Sequence, residues 1–318
     1  MDWNDPALIN AVANWNQHLI ILPTEKCNFR CTYCYEDFKI GKMKPAVINA
    51  VKALIQRRVP HLRYLGISWF GGEPLAASDV VLDITQFASA IARQEDCRFE
   101  SSATTNGYFI TPELFDDLTK AGLQRYQISL DGFGEEHDRT RRLGNGQGTF
   151  DRIINNLTHM RNSTSDFEVM IRVHFGLDGT KDATPITEFL ANEFLHDQRF
   201  KIYFKSIEDY TGLSKGKIGK ADRVLEAEII ASLTQKVPAE AIVPLDGENI
   251  CYASRPNSLL IRPDGRIGKC TIAFQDERHT VGRLNGDGTL VLDNDKMAFW
   301  LRGFETLDAD VLGCPLKM

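Results

Sequence analysis

No apolar run in this chain approaches the ~20 residues a helix needs to cross a bilayer, and no charged-then-apolar leader opens it. A cytoplasmic protein with no membrane partner is the expectation. Strong charge of either sign is also missing. The formal net charge of −6 over 318 residues gives no basic footprint for nucleic acid. There is no internal repeat and no low-complexity tract. The seven cysteines are odd in number and follow no secretory signal, which argues against a disulfide framework. What remains is a globular chain, 43% hydrophobic and 25% charged, long enough for one large α/β domain with an appendage.

Three of the cysteines stand together in Cys27-Asn28-Phe29-Arg30-Cys31-Thr32-Tyr33-Cys34-Tyr35, after the apolar run His18 to Leu22. The run reads as a buried strand that delivers the chain into a ligand loop. The spacing C-x3-C-x2-C lets three thiolates hold three irons of a [4Fe–4S] cluster and leaves the fourth iron without a protein ligand. A structural zinc site is the alternative, but zinc usually adds a second C-x2-C knuckle or histidines. Neither lies just downstream of Cys34.

Strand-like and helix-like segments alternate after that loop. Strands are expected at 65–70, 99–104, 126–130, 167–175 and 200–204, with helices at 80–93, 150–160 and 187–195. Another helix opens at Pro112 and ends at Gly122. Repeated βα units build a parallel sheet, and with the first strand they number six. Beyond Phe204 the pattern changes to a polar loop, Thr211 to Lys217, a helix from Ala221 to Thr234, and short strands and turns from about Gly247. The expected organisation is 1–206 for the barrel, 207–246 for a linker and helix, and 247–318 for a cysteine-containing extension.

C-x3-C-x2-C with an aromatic before the last cysteine resembles the signature of radical S-adenosylmethionine (SAM) enzymes. Phe70-Gly71-Gly72-Glu73-Pro74 is similar to that family's GGEP motif. Thr105-Asn106-Gly107, Ser129-Leu130-Asp131-Gly132 and His137-Asp138 followed by Arg141 are similar to later landmarks in the same order. The resemblance covers about half the chain. It implies an open, partial (β/α)6 barrel whose cluster, on Cys27, Cys31 and Cys34, chelates SAM and cleaves it to a 5′-deoxyadenosyl radical. It also implies an electron donor such as flavodoxin or ferredoxin.

Parallel-sheet enzymes carry their sites on the loops at the carboxyl ends of the strands, where all these motifs fall. By resemblance Gly71, Gly72, Glu73 and Pro74 hold the methionyl amino group of SAM; read alone, Gly-Gly-Glu-Pro is also a simple turn. Ser129 and Arg141 hold its carboxylate by resemblance, the arginine through its planar fork, although Arg141 has charged neighbours and reads equally as a surface residue. Asn106 contacts substrate or the SAM ribose, and Tyr33 belongs to the cofactor site. Asp131, Asp138 and His137 read as loop-shaping. Arg172, His174, Tyr203 and Lys205 alternate on the last two strands, so half of each pair is expected to point inward. No catalytic base declares itself.

The second cysteine group narrows the function. Cys251 is followed by Pro263-Asp264-Gly265 and Cys270, which reads as a hairpin closing two cysteines together. It resembles the opening of the SPASM/twitch extension, which carries auxiliary [4Fe–4S] clusters in radical SAM enzymes that modify peptides; Cys314 is a candidate third ligand. The alternative is a buried thiol at each place, as for Cys97. The full SPASM pattern continues with more cysteines, whereas this sequence stops four residues after Cys314. A one-cluster twitch form or a missing C-terminus would each account for that.

The leading expectation is a peptide-modifying enzyme that forms a C–C or C–S crosslink in a ribosomally made precursor peptide. No leader-binding domain is expected in front of the first strand, so a separate recognition protein or the open barrel face would hold the leader. The alternatives are a formylglycine-forming maturase of the anaerobic sulfatase type, a small-molecule twitch enzyme such as a nucleotide cyclase, and a non-catalytic electron carrier.

Overall fold

The computed structural model describes residues 4–36, 38–177, 182–207, 222–243 and 250–316. The loop at Thr211–Lys217, the helix start at Ala221, Gly247 and the last two residues lie outside them. Six parallel strands follow one another: β1 (Asn16–Ile21), β2 (Tyr64–Trp69), β3 (Arg98–Thr105), β4 (Leu123–Leu130), β5 (Glu168–Phe175) and β6 (Phe200–Ser206). Helices α1 (Pro6–Val12), α2 (Pro45–Arg58), α3 (Ser78–Gln94), α4 (Pro112–Ala121), α5 (Glu135–Thr140), α6 (Phe150–Asn162), α7 (Thr184–Glu193) and α8 (Arg223–Thr234) accompany them. The structure is therefore the α/β partial barrel expected, with its cysteine-containing extension.

Helix α4 shows how local sequence sets an element. Thr111 caps it by accepting from the Leu114 amide, and Pro112 fills the first turn. Phe115, Leu118 and Ala121 bury one face, and Gly122 ends the helix at φ +106. Helix α3 and the turn before it, 74–94, are apolar and long enough to cross a membrane by composition. Its Val80, Val81, Ile84 and Ala88 instead pack in the core.

On β5, Val169, Ile171, Val173 and Phe175 are buried among the apolar core. Arg172 and His174, two residues apart, share the opposite face because side chains alternate with period two. On β6 the same holds: Phe200, Ile202 and Phe204 join the core, and Tyr203 and Lys205 lie together on the other face. The expectation that half of each pair points inward is corrected on this ground: each pair shares a face.

The extension contributes β7 (Ser258–Ile261), β8 (Arg266–Gly268), β9 (Gly282–Leu284) and β10 (Leu290–Leu292). Strand β7 pairs in parallel with β1, from His18↔Ser258 to Ile21↔Ile261, and the rest run antiparallel. One sheet in the order β10-β9-β8-β7-β1-β2-β3-β4-β5-β6 results. The Pro263-Asp264-Gly265 hairpin forms as expected, with Gly265 at φ +84 and its amide bonded to the Arg262 carbonyl at 2.9 Å. The extension also holds three short helices not expected from sequence, α9 (Asn294–Leu301), α10 (Gly303–Thr306) and α11 (Ala309–Gly313). Asp293 and Asp308 cap α9 and α11; the helices are too short for a periodic signal.

Candidate active site

The carboxyl ends of β1 to β6 surround one cavity. Its lining includes Cys27, Cys31, Cys34, Gly71, Gly72 and Ser129, and Tyr33, Asn106, Arg141, Arg172 and His174 reach it as well. Residues spread over nearly 150 positions of sequence thus converge. Glu73 and Pro74 are buried behind the lining, Glu73 fully.

The cysteine loop is fastened by backbone. The Arg30 amide donates to the Arg142 carbonyl at 2.8 Å, Thr32 to Thr140 at 3.0 Å, and Gly144 to Asn28 at 2.9 Å. The landmark around Arg141 is therefore a second rail beside the loop. Gly71 has φ +119, and a Cβ there would sit 2.3 Å from the Thr24 carbonyl oxygen. A Cβ on Gly72 would sit 2.5 Å from that of Glu25. The paired glycines are required by this close approach of two backbones.

Glu73 has a scaffold position. Its carboxylate accepts from the Leu75 amide at 2.9 Å, the Thr105 hydroxyl at 2.7 Å and the Asn106 amide at 2.7 Å. Burial raises its pKa against these hydrogen bonds, which lower it. Asn106 then donates through Nδ2 to Asn28 Oδ1 at 2.8 Å, which ties β3 to the cysteine loop.

Asp131 is the centre of a buried cluster. It accepts from the Tyr33 hydroxyl at 2.8 Å and from the Thr140 hydroxyl at 2.8 Å, and pairs with His174 Nδ1 at 2.9 Å. Arg141 Nη1 donates to the Tyr33 oxygen at 2.8 Å and lies 4.0 Å from Asp131. Burial, partly opposed by Asp131, lowers the His174 pKa to about 4, so its imidazole is neutral. Asp138 accepts from the Thr149 and Phe150 amides at the start of α6, and His137 bonds the Asp131 amide and Thr149. Both are loop-shaping.

The thiols fit an iron–sulfur cluster by their electrostatics. Burial first, then Glu73 and the neighbouring cysteines, push Cys27 up to about 12; burial pushes Cys34 up to about 11. Thiols so raised become thiolates together only when a strongly cationic group offsets their charge. Among the described residues no three His, Cys, Asp or Glu side chains converge on one point, and thiolates bound to separate corners of a cluster have no need to.

One residue that the sequence did not single out also matters. Glu25, just before Cys27, is 1% exposed and accepts from Arg262 Nε at 2.7 Å. It joins the cysteine loop to the extension hairpin. An acidic residue two positions before Cys27 is the available signal in the sequence; its burial is visible only in the fold.

The Radical SAM superfamily model matches residues 21–187, more than half the chain, and the chain belongs to that superfamily. Members use a [4Fe–4S] cluster and SAM, and this chain is a radical SAM enzyme. Among curated proteins it is similar to a GTP 3′,8-cyclase of Microcystis aeruginosa, 31% identical over 45% of this chain and 39% of that one. The chain spans about two fifths of the length of such relatives. Among solved structures it is similar to anSMEcpe with bound AdoMet, with 18% identity, TM-score 0.64, and 89% of this chain and 83% of that chain covered. It is also similar to SuiB of Streptococcus suis bound to the precursor peptide SuiA, with 17% identity, TM-score 0.64, and 93% and 68% covered.

Proposed function

We propose that the chain is a peptide-modifying radical SAM enzyme that forms a C–C or C–S crosslink in a ribosomally made precursor peptide. The supporting observation is the extension. Its three cysteines are electrostatic neighbours, Cys314 and Cys270 each coupling to Cys251. The matched structures that include peptides, anSMEcpe with Kp18Cys and SuiB with SuiA, follow this chain over 90% and 93% of its length. In this reading 1–206 is the barrel, 207–246 the linker, and 247–318 a twitch-like extension holding an auxiliary cluster on Cys251, Cys270 and Cys314. The protein acts in the cytoplasm.

The cluster and SAM, when bound, supply one-electron cleavage of the sulfonium and abstraction of a substrate hydrogen. The residues around them bind and orient. Cys27, Cys31 and Cys34 ligate iron. The Gly71–Gly72 backbone faces the methionyl amino group, and Glu73 and Pro74 hold that backbone in place. Ser129 and Arg141 take the carboxylate, Tyr33 orients Arg141, and Asn106 closes the loop. The GTP cyclases among its relatives support a second reading, a small-molecule enzyme.

The test is to incubate the reconstituted protein with SAM and reductant, alone, with the short peptide encoded beside its gene, and with GTP. We expect 5′-deoxyadenosine from the native protein and none from the Cys27→Ala, Cys31→Ala, Cys34→Ala triple variant. A peptide lighter by two hydrogens supports the crosslink. A cyclised nucleotide from GTP would sink the peptide reading.

A further inference from the structure

Strand β5 carries a cation that makes no ion pair among the described residues. Arg172 lines the cavity and lies over the Tyr203 ring, 5.7 Å from its centroid. Its Nε is buried without a hydrogen-bond partner, and among the described residues no carboxylate lies within ion-pair distance of its guanidinium. The nearby cations are engaged. Arg141 donates to Tyr33, and Lys205 lies 3.7 Å from Glu226, which also accepts from Arg223 at 2.6 Å. Glu36 shares the cavity lining without pairing with Arg172, and a partly buried guanidinium with an unpartnered Nε is suited to an anionic ligand.

Position says which ligand. The groups assigned to SAM stand on β1 to β4 and the segment after β4. Arg172 is level with Ser129 on one side and Tyr203 on the other. It is one strand in from β6, the edge of the sheet, the side on which an incoming molecule meets no further strand. A planar fork suits two coplanar oxygens. A polyphosphate would call for several free cations, and among the described residues this wall offers one.

We propose that Arg172 is the receptor for a carboxylate on the substrate. That the carboxylate is an acidic side chain of a peptide rests on the peptide reading above; the carboxylate site itself does not. Seated there, the acidic group would fix which neighbouring carbon faces the SAM site.

The test uses reconstituted, SAM-loaded protein and reads binding, not turnover. Chloride serves as the reporter anion through its NMR line broadening, displaced in turn by N-acetylglutamate N-methylamide, its uncharged glutamine counterpart, and pyrophosphate. A charge-assisted pair predicts displacement by the glutamate compound at a concentration at least ~10-fold lower than by the glutamine compound. Arg172→Gln should abolish that preference with SAM affinity unchanged, which also reports a folded protein. Arg172→Lys should keep part of it. The proposal is overturned by a preference that survives in Arg172→Gln or is absent from the native protein. Arg172-dependent selection of pyrophosphate over the glutamate compound overturns it too. So does a tenfold loss of SAM affinity in Arg172→Gln, which would put the guanidinium in the SAM site. Turnover of GTP would end the peptide reading and leave these results standing.

Discussion

Arg141 is held from one side only. Nη1 donates to Tyr33, the guanidinium carbon lies 5.9 Å from the Phe29 ring centroid, and Nε is buried with no partner. With 8% exposure it is no surface charge, and it lines the cavity together with Ser129. Losing a charge-assisted bond to a buried carboxylate costs roughly 2–5 kcal/mol. Arg141→Ala or Ser129→Ala should therefore weaken SAM binding at least ~30-fold, with iron content unchanged. Unchanged affinity in both variants, by titration, would mean the carboxylate lies elsewhere.

Strand β1 organises the amino-terminal end of the barrel as it does the cysteine end. His18 Nε2 bonds the Ser68 hydroxyl at 2.9 Å, Ser68 bonds Ser102 at 3.0 Å, and His18 Nδ1 meets the Ser258 hydroxyl at 3.2 Å. The chain crosses β7, β1, β2 and β3. Burial first, then Arg255 and Lys269, lower the His18 pKa to about 4 from 6.5. The native state thus binds this proton more weakly than the unfolded chain. The resulting stability is complete above pH 6.5 and is lost as pH falls toward about 4. Denaturant titrations across that window should show acid destabilisation, and His18→Gln, which cannot titrate, should flatten it. An identical slope in the variant would assign the acid response to other groups.

At the scale of the molecule, the extension and the barrel share one sheet. Strand β7 lies against β1, and the buried Arg262–Glu25 pair reaches the cysteine loop. Cys251 is bonded through its amide to the Leu312 carbonyl at 2.8 Å, which holds the Cys314 segment close. The barrel cysteine loop is bonded through its backbone to residues 140–144 of the barrel, and among the bonds of the described residues the extension reaches it only at Glu25, ahead of the cysteines. Changing both Cys251 and Cys270 to Ala should therefore lower iron by about one cluster, preserve SAM cleavage without substrate, and stop product formation. Wild-type iron content in that variant would remove these cysteines from the ligand set.

Periodicity and spacing carried the six βα units, the α4 boundaries at Pro112 and Gly122, the Pro263–Gly265 hairpin and the cysteine loop, because each rests on residues close in sequence. Helices α9 to α11 are too short to repeat a pattern, and the alternation on β5 and β6 needed only a correct count of two. Other features depend on distant partners. Gly71 and Gly72 are glycines because the Thr24 and Glu25 carbonyls press on them, and Glu73 is engaged by Thr105 and Asn106. Among the described residues Arg172 makes no ion pair, because Asp131 is engaged by Tyr33, Thr140 and His174 and Glu226 by Ser206 and Arg223. Charge balance inside a cavity is a sum over side chains from separate strands, so the sequence determined which groups are present and the tertiary structure decided which one remains open to a ligand.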